Sequence, residues 1–342
     1  PKRPDCSTEW TNMANRPLHI GVIGCGAQAQ NHLSVVRELG DEIARVEVIC
    51  DLREERLEEG RALWPEARLC RDYREALKDG DLDLVIVVTM PATHAEICLA
   101  AFAAGAHVLC EKPFTINVQQ AEMVIQVARE KGLFLMEAMW TRFLPHILKV
   151  QQIINDGLIG QPQILQASVG DQKELDPSNR FFNPKLGGGS LIDVGIYAVT
   201  LAYLVFGPPA EIQSLANLSA TGVDQETVVT FRHNDDQLTY FASSILHHMP
   251  RDATITGDNG GIYIHPDFWH PSQITLRVNS ETEQFIEVDC PLNGYHYQVL
   301  EVNRCLKAGR SESSVMSLDT TLHVMNTLDT IRRQWGLKYP ME

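Results

Sequence analysis

The sequence predicts an α/β protein of two domains: a doubly wound parallel sheet, then an α+β domain with an open, mostly antiparallel sheet. From residue 18 to residue 136, short apolar segments alternate with segments of helical spacing, which is typical of parallel strands joined by helices. From residue 163 to residue 288, longer segments alternate polar and apolar residues, which indicates antiparallel strands with one covered face. The length of 342 residues also favours two domains.

The first domain is predicted element by element. Residues 84–88 are all apolar, as a buried parallel strand requires, and Pro91 stands where a helix begins, a position that needs no N–H. Gly105 and Gly132 follow helical segments and end them. The predicted strands are 18–23, 46–50, 84–88, 108–110 and 133–136, and the predicted helices are 27–39, 52–63, 91–104 and 117–131.

The second domain is predicted to hold longer strands and several helices. The predicted strands are 163–170, 226–233, 238–246, 253–265 and 274–280, and the predicted helices are 145–156, 187–205, 295–308 and 318–336. We place the domain boundaries at 18–137 and 138–342. Residues 1–17 are polar, have no apolar core of a secretory signal, and are expected to be a flexible extension.

Composition limits the classes of function. The net charge of −15 argues against binding to nucleic acid and to anionic membrane surfaces, which require basic faces. We see no uninterrupted apolar run of about 18 residues and expect no membrane-spanning helix. The 8 cysteines are scattered without a C-x-x-C pair, so we expect free thiols and a reducing, cytoplasmic location.

A dinucleotide-binding motif follows the first strand. The segment Gly24-Cys25-Gly26-Ala27-Gln28-Ala29 fits G-x-G-x-x-G/A, follows a predicted strand and opens a predicted helix. The first glycine makes the turn, the second lets the backbone approach a pyrophosphate, and the third position must be small for helix and strand to pack. This motif predicts a Rossmann domain, in which the loop residues that bind the dinucleotide are Gly24, Gly26, Ala27 and Gln28.

An acidic residue ends the second strand. Asp51 stands where a carboxylate binds the adenosine ribose 2′-hydroxyl, which favours NAD. A 2′-phosphate is repelled there unless Arg53 or Arg56 compensates. We therefore expect NAD or NADP as cofactor, with a lean to NAD, and include Arg53 among the cofactor-binding residues.

Two further strands bring polar residues to the carboxyl edge of the parallel sheet, where ligands bind in such folds. Thr89 and His94 follow the strand 84–88. His94 is a candidate for ligand contact, and a helix-capping role fits it equally well. Glu111 and Lys112 follow the strand 108–110, and Pro113 restricts the backbone of the lysine. We expect this proline to hold Lys112 at a fixed angle over the cofactor crevice.

The second domain supplies an acid and a phenol. Ser190 is expected to cap a helix on which Asp193 and Tyr197, four residues apart, share a face. Free tyrosine has a pKa near 10, and a nearby ammonium such as Lys112 favours the phenolate. Tyr197 is thus a candidate proton acceptor for an alcohol oxidation. The alternative, a core tyrosine whose hydroxyl bonds to backbone, stays open at this point.

Four motifs together resemble one family of oxidoreductases. The segments GVIGCGAQAQNH, TMPATH, CEKPF and GGGSLIDVGIY, in this order, resemble the Gfo/Idh/MocA family over residues 18–340. The resemblance implies a Rossmann domain and an open antiparallel α/β domain, often dimeric through that sheet. It also implies that Lys112 approaches the nicotinamide, often beside a cis proline bond.

The closest resemblance is to the branch of dimeric dihydrodiol and D-xylose dehydrogenases. It implies that Trp140 lines the substrate pocket and that Arg142 lies near the cofactor. Tyr197 stands where many members of the family have histidine. The animal enzymes of the branch prefer NADP and carry arginine where this chain has Cys50, so that preference is not transferred.

The remaining candidates are Arg180 and Phe181, which precede the glycine-rich turn and are candidates for substrate contact, although a loop anchor fits them as well. The 12 histidines form no compact ligand pattern, and we expect no metal. The main hypothesis is an NAD(P)-dependent dehydrogenase of sugar-like or cyclic diol substrates, in which Lys112 and Tyr197 transfer the proton and Asp193 orients them. The alternatives are a transhydrogenase with retained cofactor, like glucose–fructose oxidoreductase, and a non-catalytic dinucleotide sensor.

Overall fold

The structure is a computed structural model that describes residues 16–78, 81–279 and 283–342. Residues 1–15 of the predicted extension lie outside the described residues. The chain forms two compact units. The first comprises the described residues up to Thr115 with Gln119–Trp140 and Leu292–Thr321, and the second comprises Ile116–Val118, Thr141–Pro291 and Leu322–Glu342. The segment Leu292–Thr321, which we placed in the second domain, is thus part of the first unit.

The helices follow the predicted order with small shifts at their ends. The helices are α1 (Ala27–Leu39), α2 (Glu54–Leu63), α3 (Tyr73–Ala76), α4 (Pro91–Ala103), α5 (Val118–Lys131), α6 (Pro145–Asn155), α7 (Ile196–Phe206), α8 (His296–Lys307) and α9 (Leu318–Gln334). Short 3₁₀ turns cover Trp140–Phe143 and Pro184–Leu186, and a π-helical turn covers Leu191–Gly195. The predicted helix 187–205 was therefore wrong in its first turns, which are a glycine-rich turn and a π turn.

The first unit holds a six-stranded parallel sheet, as the sequence predicts. Its strands are β1 (Leu18–Ile23), β2 (Ala44–Cys50), β3 (Arg68–Cys70), β4 (Leu84–Val87), β5 (His107–Glu111) and β6 (Leu135–Ala138). The order β3-β2-β1-β4-β5-β6 reverses direction between β1 and β4, which is where open α/β sheets bind ligands. All residues of β4 and β5 are buried, which explains the unbroken apolar sequence of β4 and the apolar centre of β5, residues 108–110.

The register of this sheet places the ends of its strands at one level. Ile23 lies beside Cys50 and Val87, Val87 lies beside Cys110, and Cys110 lies beside Glu137. The residues that follow these positions form one edge of the sheet. The dinucleotide motif, Asp51 and the Glu111-Lys112 segment all begin at this edge.

The second unit holds an eight-stranded mixed sheet that is mostly antiparallel, as predicted. Its strands are β7 (Pro162–Gly170), β8 (Glu211–Leu218), β9 (Asp224–Arg232), β10 (Leu238–Ser244), β11 (Ala253–Gly257), β12 (Gly260–Ile264), β13 (Ile274–Val278) and β14 (Gln284–Ile286). The order is β14-β13-β12-β11-β7-β10-β9-β8, and the pair β7 and β10 is parallel.

The prediction lacks the strands β8 and β14 and differs from the structure in three further elements. The segment predicted as one strand, 253–265, is the hairpin of β11 and β12, which turns at Asp258 and Asn259. The Asp-Asn-Gly sequence is a turn signal that outweighs the long alternating pattern. The strand β3 and the helix α3 were not predicted, because three and four residues are too few to show a period.

One face of the eight-stranded sheet exposes apolar side chains. Leu215 and Val228 are directly paired across β8 and β9, and their exposed fractions are 78% and 55%. Phe285 is linked to Tyr240 through successive cross-strand pairs, so that both rings point to this same face. Ile164 and Leu238, another cross-strand pair, are also exposed. We call this set of six residues the open sheet face.

The segment Pro184–Phe206 is long and apolar enough, by length and composition alone, to cross a membrane. The absence of a membrane-spanning helix stays a prediction, because this segment meets only the criteria of length and composition. In its most apolar window 67% of the residues are buried inside the protein, and the core helix of a globular protein meets the same two criteria.

Candidate functional site

The dinucleotide motif adopts the geometry that its glycines predict. Gly24 has φ of +91°, and a Cβ there would come within 2.5 Å of the carbonyl oxygen of Val88. Gly26 is different, because a Cβ there would meet no described heavy atom within 4 Å. Ala29, at the third motif position, is fully buried. The loop is therefore closed on the side of the sheet and open beside Gly26.

The amino terminus of α1 is suited to a phosphate. The helix begins at Ala27 with Gly26 as its N-cap, no described side chain caps it, and its first turn holds no acidic residue. Its leading N–H groups are consequently available for an anion, which the helix dipole also favours. The open space beside Gly26 and this uncapped helix end fit a dinucleotide pyrophosphate.

Asp51 is built into the phosphate loop. Its Oδ2 accepts a hydrogen bond of 2.8 Å from the backbone N–H of Cys25, and its Oδ1 accepts one of 3.0 Å from the N–H of Arg53. The guanidinium of Arg53 also lies 3.4 Å from Oδ1. The carboxylate thus connects the end of β2 to the loop after β1, and it stands where the sequence places the ribose-binding acid.

Three buried side chains hold the backbone around Lys112. Glu111 Oε2 accepts a bond of 3.1 Å from the N–H of Lys112, and Glu137 Oε1 accepts one of 3.1 Å from the N–H of Phe114. His94 Nδ1 lies 3.0 Å from the carbonyl oxygen of Pro113. The Lys112–Pro113 peptide bond is cis, as the resemblance implies. The lysine therefore leaves the sheet edge from a backbone that is fixed on both sides.

His94 contacts the backbone of two segments at the edge of the parallel sheet. It lies in the first turn of α4 and is 1% exposed, and its Nε2 is 3.0 Å from the carbonyl oxygen of Thr89 while Nδ1 faces Pro113. Burial lowers the pKa of its ring below the ordinary value. His94 thus joins the segment after β4 to the segment after β5.

Glu111 and Glu137 are both buried, and they differ in their partners. Glu111 Oε1 lies 2.7 Å from Nε2 of His32, on α1. Glu137 Oε2 accepts a bond of 2.9 Å from the hydroxyl of Thr321. Burial raises the pKa of Glu137 to about 7, against the opposing effect of these hydrogen bonds and of Lys112.

An aromatic group covers the same end of α1. Tyr295 stacks on Trp140 with ring centroids 4.3 Å apart and 20° between the planes. The amide of Gln28 donates to the Tyr295 hydroxyl. The ring of His32 meets Tyr295 edge-on at 5.2 Å. The predicted residues Gln28 and Trp140 are thus joined by Tyr295, which the sequence did not indicate.

In the second unit, Asp193 and Tyr197 lie in two different kinds of helical turn. Asp193 lies in the π turn Leu191–Gly195, and Tyr197 lies in α7. The prediction that the two residues share one face assumed a regular α-helix over both, which the structure does not have. Asp193 Oδ1 accepts a bond of 3.1 Å from Arg180. The ring of Tyr197, which is 7% exposed, is parallel to the indole of Trp269.

The other predicted residues of this unit are Arg142, Arg180 and Phe181. The guanidinium of Arg180 lies 3.8 Å from the ring centroid of Phe181, so Arg180 contacts both Phe181 and Asp193. Arg142 is largely buried, and burial lowers its pKa from the ordinary value. The structure describes Lys112 in the first unit and Asp193, Tyr197, Arg142, Arg180 and Phe181 in the second.

The glycine-rich turn is held by Asp224, and Ser190 does not have the predicted capping role. Asp224 Oδ2 accepts a bond of 2.6 Å from the N–H of Leu191. The Ser190 hydroxyl instead donates to Ser243, at 2.8 Å. Gly189 has φ of +131°, and a Cβ there would come within 2.4 Å of Asp224 Oδ1. The hydroxyl of Tyr339 donates to the carbonyl of Gly188 at 2.8 Å, which closes the turn.

Comparisons with known proteins decide the family. Residues 18–139 match the oxidoreductase family with NAD-binding Rossmann fold, and residues 147–263 match the GFO/IDH/MocA C-terminal domain. A trans-1,2-dihydrobenzene-1,2-diol dehydrogenase of Danio rerio is 34% identical over 279 residues, which cover 79% of this chain and 82% of that protein. The chain belongs to the Gfo/Idh/MocA oxidoreductase family. It is an NAD(P)-dependent oxidoreductase with an NAD(P)-binding Rossmann domain.

One further dihydrodiol dehydrogenase and two solved structures are also similar to this chain. The Mus musculus dihydrodiol dehydrogenase is 27% identical over 95% of this chain and 99% of its own. The aldose-aldose oxidoreductase of Caulobacter crescentus, solved with glycerol, is 21% identical with a TM-score of 0.84 over 94% of this chain and 99% of that one. KijD10, a 3-ketoreductase of Actinomadura kijaniata solved with NADP and TDP-benzene, is 22% identical with a TM-score of 0.83 over 93% and 98%. These two structures show the shared fold.

Sequence reasoning missed four residues of these sites. His32 is four residues after Gln28, so the helical period puts both on one face of α1, and that signal was available. Trp269 stands in the segment HPDFWHP, where no local pattern indicates a contact with Tyr197. Tyr295 and Asp224 come from distant segments that carry no local signal. Among the residues that the structure describes, no three or more His, Cys, Asp or Glu side chains are grouped to hold a metal ion.

Proposed function

We propose that this protein is a dehydrogenase of secondary hydroxyl groups on sugar-like or cyclic diol substrates. The observation that carries the proposal is the fixed Lys112 segment at the same sheet edge as the dinucleotide loop. A lysine held by buried acids on both sides of its backbone is positioned for a reaction rather than for solubility. The family membership and the similarity to dihydrodiol dehydrogenases support a CH–OH substrate.

In this proposal the residues of the chain move the proton. The ammonium of Lys112 stabilises Tyr197 as the phenolate, which takes the proton of the substrate hydroxyl and becomes the neutral phenol. Asp193, paired with Arg180, orients the substrate hydroxyl or Tyr197. A nicotinamide held at the dinucleotide loop would supply the acceptor for the hydride of the carbon that bears this hydroxyl. The carbinol becomes a carbonyl, and one proton and one hydride are accounted for.

Two conservative variants test these roles. Tyr197→Phe removes only the hydroxyl, and Lys112→Met removes only the ammonium. Each is expected to lower kcat by about 10²-fold or more, in line with the loss of a general base. Tyr203→Phe on the same helix and Lys131→Met at the end of α5 serve as matched controls and are expected to leave kcat unchanged. Rates of Tyr197→Phe and Lys112→Met close to the parent rate would reject the assignment.

A screen of polyols, aldoses and cyclic diols, followed by absorbance of reduced nicotinamide, identifies the substrate class. It also separates the two alternatives. A retained-cofactor transhydrogenase gives turnover only with paired substrates and keeps its nicotinamide through gel filtration. A dinucleotide sensor binds nicotinamide and gives no turnover with any pair.

We also propose NAD as the preferred cofactor. The support is the carboxylate of Asp51 at the end of β2, which is fixed by the N–H groups of Cys25 and Arg53 and would face a 2′-phosphate with negative charge. Arg53 is paired with this carboxylate and so only partly offsets it. The ratio of kcat/KM for NAD and NADP measures the preference.

The assembly we propose is a homodimer through the open sheet face, in the cytoplasm. The exposed pair Leu215 and Val228 supports an apolar contact, because exposed apolar residues on a sheet face favour burial against a second copy. Leu215→Lys with Val228→Lys is expected to give a monomer by light scattering, whereas Leu175→Lys, on an exposed loop, is expected to leave the dimer intact. The seven cysteines that the structure describes form no disulfide with one another.

A further inference from the structure

A buried histidine lies behind the lysine segment. His32 is fully buried on α1, and its Nε2 lies 2.7 Å from Oε1 of Glu111. Glu111 is 5% exposed, and its second oxygen, Oε2, accepts the N–H of Lys112. One carboxylate therefore joins the side chain of His32 to the backbone of Lys112. Each step of this chain is a single hydrogen bond between groups shielded from water.

The geometry assigns the proton of this contact to Nε2 of His32. The other ring nitrogen, Nδ1, is buried and has no hydrogen-bond partner in the described part of the chain. A proton on Nδ1 alone would be a buried donor without an acceptor, and it would leave the lone pair of Nε2 facing the carboxylate oxygen. With the proton on Nε2, His32 donates to Glu111 Oε1. Both oxygens of Glu111 then accept one bond, and the carboxyl plane is fixed.

His32 itself is held from its other side. Its ring meets the ring of Tyr295 edge-on at 5.2 Å, and Tyr295 is in turn stacked on Trp140 and bonded by Gln28. The imidazole consequently has little freedom to turn away from Glu111. The helix that offers its amino terminus to the dinucleotide thereby also sets the position of the lysine segment.

We propose that His32 is a positioning residue that acts through Glu111 to fix Lys112 for proton transfer. This inference rests on the proposed dehydrogenase function. A purely structural role for the pair is the competing explanation, since buried hydrogen-bonded side chains also stabilise folds. The two explanations differ in whether the loss of His32 changes the chemistry of Lys112 beyond its effect on stability.

Three variants separate the explanations. His32→Leu removes the donor, whereas His32→Gln keeps an amide N–H that can reach Glu111. His107→Leu is the matched control, because His107 is a buried histidine at the opposite end of β5 that accepts the N–H of Phe134 at 2.9 Å. All three are compared by thermal unfolding, so that kinetic effects are read at equal folded fraction.

The expected result is a loss in kcat of about ten- to a hundred-fold for His32→Leu, as for a small misplacement of a reacting group. The acid limb of the kcat/KM profile should move to higher pH by about one unit, because a displaced ammonium no longer favours the phenolate. His32→Gln should restore most of both, and His107→Leu should change neither. Parent values of kcat and pH profile in His32→Leu would overturn the proposal.

A second readout does not depend on turnover. Reductive methylation with ¹³C-formaldehyde gives each lysine a methyl resonance, and comparison with Lys112→Arg identifies the one from Lys112. His32→Leu should change the shift or the titration midpoint of this resonance, and His32→Gln should return it to the parent value. An unchanged Lys112 resonance in His32→Leu would overturn the positioning role. If the parent protein oxidises no substrate in the screen while this resonance responds, the dehydrogenase proposal fails separately from the link between His32 and Lys112.

Discussion

The ring of Tyr197 lies parallel to the indole of Trp269, with centroids 5.6 Å apart and 9° between the planes. Both residues belong to the second unit, one on the helix after the π turn and one between β12 and β13. Trp269 also meets Phe268 edge-on. The phenol proposed as proton acceptor is therefore held on one side by a large, well-packed surface.

Removal of that surface is expected to slow the reaction of the protein that remains folded. Trp269→Ala should lower kcat/KM by about tenfold, since an aromatic pair contributes about 0.5–1.5 kcal/mol beyond its burial and fixes the ring. Trp269→Phe should retain most activity. Trp64→Phe, which removes a buried indole bonded to Leu33, is the control and should leave kcat/KM unchanged. Equal kinetics for Trp269→Ala and the parent would contradict this role.

Substitution of the two motif glycines by alanine is expected to have a different effect at each position. Gly24→Ala should destabilise the fold by about 1–2 kcal/mol from its left-handed backbone alone, with a further cost from overlap with Val88. Gly26→Ala should cost less than about 1 kcal/mol, because the position is an open N-cap. Its methyl group should nevertheless weaken dinucleotide binding by about tenfold or more, since it occupies space beside the helix end. Calorimetric titration and thermal unfolding measure both; tight cofactor binding by Gly26→Ala would count against the assigned phosphate site.

Charge and hydrogen bonding at Asp51 can be separated. Asp51→Asn keeps an acceptor for the N–H of Cys25 and removes the negative charge, whereas Asp51→Ala removes both. The ratio of kcat/KM for NAD over NADP should fall by about tenfold in Asp51→Asn, because repulsion of the 2′-phosphate is lost. In Asp51→Ala the ratio should fall by a similar factor, and this variant should also bind both cofactors less tightly. A ratio that stays at the parent value in Asp51→Asn would refute charge as the basis of selection.

Asp224 should make stability depend on pH. Burial raises its pKa to about 7, well above the ordinary value near 4, so the folded protein binds a proton that the unfolded chain releases between these pH values. The contribution of Asp224 to the free energy of unfolding therefore falls as pH rises from about 4 to about 7. The limiting slope is about 1.4 kcal/mol per pH unit.

Asp224→Asn tests this sign. The amide oxygen can still accept the N–H of Leu191, and the variant should show a flatter dependence of unfolding free energy on pH across this range. Urea unfolding at several pH values between 4 and 8 measures the slope. Asp176→Asn, at an exposed turn, is the control and should leave the slope in this range unchanged, because Asp176 has its pKa lowered rather than raised. A variant slope equal to the parent slope would exclude Asp224 as its source.

Local patterns were sufficient for the parallel sheet and the cofactor loop. The bounds of β1 and α1 agree with the prediction, because the period, the glycines and the turn all lie within one short segment. The Lys112 segment was also predictable, since its proline and its place after a buried strand are both local. The hairpin of β11 and β12 was not predicted, because alternation alone does not show where a strand reverses.

The sequence by itself determined the two sheets, the dinucleotide loop and the residues Lys112, Asp193 and Tyr197 as candidates, because each is indicated by a pattern of residue types within a short segment. Only the tertiary structure decided what holds them. Four contacts join segments that are distant in the chain: His32 with Glu111, Tyr295 with Trp140, Trp269 with Tyr197, and Asp224 with the glycine-rich turn. Such pairs form when packing and hydrogen-bond satisfaction are resolved over the whole unit, and no local period encodes them.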